Sequence, residues 1–248
     1  MQLAKTSTRL SWLSFALIAT MYSCGGSDSL KSSKVDEINI FRSYTVTYDE
    51  SMKSTSLLAQ FREKNRTGSS IILESPSSIA AQDANQRFDG MSPRALSDGS
   101  GGYLWSTSEG SSSVYTLNWT TPAKRLVTDT LNLPTPVRPV LVNSSFSRSG
   151  GIVIRFDREL DASGMTVNAN IKGLIEGSGV SATVTGSVTA GSSVQFSNAD
   201  LQRFALGAIT IEMQTQVEKS LPAITSTGVS GVGTSVYQLP LMTVSLTQ

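Results

Sequence analysis

The chain has 248 residues, 20 Lys and Arg against 19 Asp and Glu, a single cysteine and no histidine. That charge balance offers no basic stripe for nucleic acid, and the missing histidine removes the commonest zinc ligand and the commonest general base near neutral pH. One cysteine forms no intramolecular disulfide, so the body must be held by its core.

In chain order, Lys5 and Arg9 make a short positive region, with no acidic residue before Asp28. Residues 10–22 are an apolar run broken only by small hydroxylated residues. The run suits an export signal and falls short of the about 20 apolar residues that span a bilayer. Ser23, Cys24, Gly25 and Gly26 follow. A small residue before a lone cysteine at the end of such a run resembles the lipobox of bacterial lipoprotein signal peptides. The resemblance implies that residues 1–23 are removed, that the Cys24 thiol takes diacylglycerol, and that the new amine is acylated by a palmitate-type chain. Several acyl chains, at about 0.8 kcal/mol per buried methylene, hold a protein stably on a membrane. Gly25 stands where aspartate favours inner-membrane retention in some enteric bacteria, so the implied address is the outer membrane. A lipidated Cys24 also leaves no thiolate for Cys-His catalysis or for zinc.

Residues 24–34 form the lipidated cysteine and a small, polar, turn-prone stretch, expected to be a flexible tether spanning roughly 18 Å. Strand-like patterning then begins, with β-branched and aromatic residues over 39–48, 56–62, 70–73, 102–106, 113–119 and 124–131. These make residues 35–132 an N-terminal β-sandwich. Pro134, Pro136 and Pro139 mark residues 133–139 as an extended linker whose prolines block ladder pairing. Residues 140–248 read as a second, immunoglobulin-like sandwich, its strand series restarting at 137–141 and continuing over 151–156, 167–171, 180–188, 193–196, 208–215 and 235–246. Its one helical turn lies within 197–207, where Asn198 caps, Leu201 and Phe204 or Ala205 face inward, and Gly207 terminates. The fold class is therefore all-β, two immunoglobulin-like sandwiches after a signal peptide and tether.

Both halves resemble small two-domain envelope lipoproteins of Gram-negative bacteria. In the first half the resemblance rests on Ala59-Gln60-Phe61-Arg62, on residues 67–71 and on Val114-Tyr115-Thr116-Leu117. In the second it rests on Asp200-Leu201, residues 207–211 and Tyr237. It implies a fold and an address, with no assigned activity.

Two constellations invite chemistry. Asp157, Glu159 and Asp161 alternate, and hard cations such as calcium take several oxygen ligands of this kind. The glycine of that run, Gly164, falls two positions later than a calcium-binding loop requires, so a solvated acidic turn is the simpler reading. Tyr103 and Trp105 share one face of a strand by the period of two; the simpler reading is that they fill a sandwich core, which needs large residues, and the alternative is that Trp105, beside Gly-rich turns, is exposed and stacks on a sugar ring. Tyr115, Leu117 and Trp119 read as a core face. No lysine has a serine three residues before it, so the local Ser-Lys signature is absent, and no catalytic residue is assigned. The expected function is a non-enzymatic, lipid-anchored envelope protein that displays its sandwiches to a protein or glycan partner or serves envelope assembly, with no cofactor and no nucleic acid. The alternative is a hydrolase built on carboxylates, or on a metal held by oxygen ligands, drawn from Asp157, Glu159, Asp161 and Asp200.

Overall fold

Strand β1 (Ile40–Asp49) alternates buried and half-buried positions along all ten residues, the pattern of a strand with one face in a core. The same rule builds β2 (Ser54–Glu63), β3 (Ser78–Asp83), β4 (Gly101–Thr107), β5 (Val114–Thr120) and β6 (Leu126–Asn132). The second half adds β7 (Ile152–Leu160), β8 (Met165–Leu174), β9 (Ser181–Val188), β10 (Gly191–Phe196), β11 (Gly207–Leu221), β12 (Gly231–Gln238) and β13 (Met242–Thr247), with one helical turn, α1 (Asn198–Leu201). The computed structural model describes residues 29–84, 89–97, 100–108, 111–141, 143–160 and 164–248. Cys24 and Asp161 lie outside the described residues.

The fold is all-β, with two sandwich cores. In the first, β1, β2 and β4 face a sheet ordered β6-β5-β3 across Tyr44, Leu57, Phe61, Tyr115, Leu117 and Trp119. In the second, β8, β11 and β13 face β7 and β10 across Ile154, Phe156, Val167, Ile211, Phe196 and Phe204. Polar tips inside the first core find partners: Trp119 Nε1 donates to Ser77 Oγ at 3.1 Å, and the Tyr115 and Thr55 hydroxyls meet at 2.8 Å.

Strand pairing crosses between the halves. The fifteen residues of β11 pair with β13 over 207–211, with β8 over 210–217 and with β12 over 214–221. β12 then lies parallel to β1, Val232 opposite Ser43 and Gln238 opposite Asp49. Leu221 is accordingly buried in the first core, while Ile209 and Met213 are buried in the second. The registers set three levels along the molecule. Its base holds residues 30–39, 63–77, 121–126 and 222–230. Its waist holds 49–54, 133–139 and 237–242, and its tip holds 147–151, 174–180 and 197–206.

Three expectations need correction. The tether does not extend to residue 34, because Leu30 and Lys31 pair with Ile71 and Ile72. Ser32 is buried, its Oγ accepts from Glu74 N at 2.9 Å, and Lys31 Nζ meets Glu74 Oε1 at 2.8 Å. The prolines of 133–139 do not all block pairing, since Pro139 and Val140 form a two-residue edge strand on β7, where a missing N–H is tolerated. The segment is also docked, Val137 donating its N–H to the buried Thr215 Oγ1 at 2.9 Å. Finally Ser197 caps α1, in a capping box with Asp200. Leu201 and Phe204 face inward as expected, and Gly207 opens β11.

Candidate functional site

Tyr103 and Trp105 do share a face of β4, and it is the inward one. Tyr103 is 9% and Trp105 7% exposed, because β4 pairs with β2 in a register that sets Leu57 beside Trp105 and Ala59 beside Tyr103, and both neighbours are core residues. The Tyr103 ring packs edge-on to Phe61 at 6.0 Å and Trp105 edge-on to Tyr115 at 6.4 Å. Tyr103 Oη accepts from Leu73 N at 2.7 Å, and burial pushes that hydroxyl above its ordinary range. Each ring contributes only a rim to a separate hollow. Tyr103 lines one of 330 Å³ with Ile71, Ile72 and Gly102, and Trp105 lines another with Ser92, Arg94 and Leu104. Of the two readings the core one holds, and the stacking surface at Tyr103 and Trp105 falls away: period two placed the rings together, and the apolar partners on β2 drew both inward.

The acidic run divides as well. Asp157 and Glu159 stand exposed near the end of β7, where the register with β10 shifts between Arg155 and Leu160. Asp157 Oδ1 is occupied by the Arg138 N–H at 3.0 Å. Asp200 lies at the tip, on α1, where its carboxylate accepts from Ser197 Oγ at 2.7 Å and from Ser197 N at 2.8 Å. Those bonds, the hydroxyl's first, hold it below the usual carboxylate range. Among the described residues no three acidic or thiol side chains come together as metal ligands.

The densest electrostatic constellation is one that the sequence reading passed over. Arg42 and Asp129 are 1% and 3% exposed, facing each other across the first core. Arg42 Nε donates to Asp129 Oδ2 at 2.8 Å and Nη2 donates to Oδ1 at 3.3 Å. Nη2 also donates to the Pro222 carbonyl at 2.6 Å, just beyond β11. One guanidinium thereby ties β1, β6 and the chain after the shared strand. Tyr44 Oη and Arg42 Nη1 are buried beside it without a hydrogen-bond partner among the described residues. Burial, reinforced by the Asp129 charge, pushes the Tyr44 hydroxyl far above its ordinary range. The signal was available: Arg42 is in phase with Ile40, Tyr44 and Val46 along β1. A bidentate pair closed off from solvent clamps the fold and gives a substrate no approach.

No family model matches the chain, and no curated protein does. Among solved structures it is similar to a cytokine receptor complex, at 8% identity, covering 82% of this chain and 95% of that one, with a TM-score of 0.24. It is also similar to a tetra-tandem repeat from the extending region of a large adhesion protein, at 13% identity over 80% of this chain and 49% of that one, with a TM-score of 0.22. A third is a 1.5-MDa bacterial ice-binding adhesin, at 15% identity over 84% and 64%, with a TM-score of 0.21.

Proposed function

We propose that this chain is a non-enzymatic, lipid-anchored protein of the cell envelope, held through Cys24 in the outer membrane, that displays two stacked sandwiches to a protein or glycan partner. The observation that carries this reading is where the body begins. Leu30 and Lys31 dock on residues 71–72, at the end of the first sandwich remote from the second. Four residues, 25–28, separate the acylated cysteine from Ser29, five steps with a reach of at most about 18 Å, so the base is held close to the lipid. From near the base β11 runs toward the tip, and fifteen residues at about 3.3 Å each span roughly 50 Å. The second sandwich is thereby carried outward on a strand belonging to both cores.

Intact mass of the membrane-extracted protein, compared with Cys24→Ala, tests the anchor. A mass of residues 24–248 plus acyl groups, lost in the variant, is expected. An unacylated product released as soluble protein overturns the reading.

A further inference from the structure

β9 pairs with β8 on one side only, in an unbroken register from Val188 opposite Val167 to Ser181 opposite Leu174. Arg203 donates from Nη2 to the Thr183 carbonyl, so the backbone of Thr183 points away from β8. By the alternation of an antiparallel ladder, the N–H and C=O groups of Ser181, Thr185 and Ser187 point the same way. The Arg203 bond is the one side-chain bond to that edge among the described residues, and Arg203 itself is exposed.

Proteins usually guard sheet edges with short strands, proline, charge or bulges. Other edges of this molecule carry such guards. Residues 92–95 hold Pro93 and Arg94, residues 89–90 hold Asp89, and residues 139–140 begin with Pro139. The strand at 145–147 has three residues. β9 has eight residues, no proline and no bulge, and no charge occurs anywhere in residues 177–199. β10, as free of charge but shorter, follows it around the corner of the sandwich. Exposed Leu174, Val180 and Leu206 gather at the tip end of this edge.

We propose that β9 is a strand-addition edge whose partner is β9 of a second copy of this chain, paired antiparallel. An added strand gains main-chain bonds from the open edge and must bring no charge, since β9 has none to answer it. β9 itself meets both conditions, and antiparallel self-pairing closes on a two-fold axis that consumes both edges at once. In the register of greatest overlap, Thr183 faces Thr185 of the second copy, Ser181 faces Ser187, and Val184 lies on the axis. Hydroxyl residues thus meet across the strands on the exposed face, and Arg203 swings off the Thr183 carbonyl. An eight-residue edge is small beside the about 1,200–2,000 Å² of a stable interface, so the dimer is reversible in solution. Because β9 runs from tip to waist, the two molecules point in opposite directions. Taken with the proposed anchor, on which this step alone rests, the pair joins copies held on facing surfaces.

Sedimentation velocity of the mature chain in detergent, across two decades of concentration, tests the edge. A reversible monomer–dimer equilibrium is expected. Thr185→Lys places a charge on the added edge, and Thr185→Pro deletes an outward N–H that β8 does not use; each is expected to weaken the dimer about tenfold or more. Val153→Lys, at an exposed site on β7, leaves it intact. Unchanged circular dichroism and thermal midpoint establish that a variant is folded, and Thr185→Lys decides the matter if the proline variant is not. A wild-type chain that stays monomeric throughout, or a dimer indifferent to a folded Thr185 variant, overturns the proposal. The measurement runs equally on acylated and unacylated chain, so failure of the anchor leaves it standing.

Discussion

Arg42 and Asp129 sit where the alternation of β1 and β6 demands apolar side chains, and both charges are out of water. Burying such a pair costs several kcal/mol per ion, which their attraction offsets only while both partners stay in place. Asp129→Ala leaves the guanidinium alone in the core and is expected to cost about 3–5 kcal/mol, read as a lower urea midpoint. Arg42→Met combined with Asp129→Leu should recover most of that loss, because a packed apolar pair carries no desolvation penalty. Tyr44 supplies a pH test. Its hydroxyl is raised in the folded state by burial first and by Asp129 second, while the unfolded chain titrates near the ordinary tyrosine value of about 10. Its stabilising contribution is therefore complete below that pH and is lost as pH rises past it. Urea midpoints at neutral pH and above pH 10 should differ less for Tyr44→Phe than for wild type. At neutral pH the same variant should be neutral, or more stable by about 1 kcal/mol, since it removes a buried hydroxyl without a hydrogen-bond partner among the described residues. These residues were legible in part. The phase of Arg42 was visible in the sequence, whereas the carboxylate that permits it lies on the facing sheet.

At the scale of elements, β11 carries the most. Thr215 is fully buried on it, and its Oγ1 accepts the Val137 N–H. Thr215→Val keeps the shape and strands that donor, so a loss of about 1–3 kcal/mol is expected, with Thr215→Ser nearly neutral; hydrogen exchange at the Val137 amide should quicken in the valine variant alone. Gly233 on β12 lies so close to β6 that a Cβ there would collide with Leu131 Cδ2. Gly233→Ala should accordingly lower the thermal midpoint through overpacking, by about 1–3 kcal/mol. Strands such as β1, β5 and β8 were readable because β-branched and aromatic residues alternate along them. β3 was not, since Ser-Ile-Ala-Ala-Gln-Asp has little β-branched or aromatic character and owes its place to antiparallel pairing beside β5, which turns Ile79 and Ala81 into the core. For β4 the period gave the shared face of Tyr103 and Trp105, but which face was buried depended on β2.

Over the whole molecule, the two cores share a sheet. A fragment of residues 29–132 lacks both β12, which lies along β1, and Leu221, which fills part of its core. It is expected to remain unfolded by circular dichroism at temperatures where the full chain is folded. The full chain should melt in a single calorimetric transition, with calorimetric and van't Hoff enthalpies in agreement; two resolved transitions would count against the coupling. The sequence shows two strand-rich halves about a proline-rich stretch. It gave no sign of the parallel pairing of β1 with β12, because contacts so far apart in the chain leave no local periodicity. That pairing also imposes an order in time. A nascent chain halted at residue 206 has already made every strand from β1 to β10, yet β1 still lacks its parallel neighbour and Arg42 has no Pro222 carbonyl to reach. Completion waits for the last few dozen residues, so whatever handles this chain before its final stretch emerges is handling an open sheet.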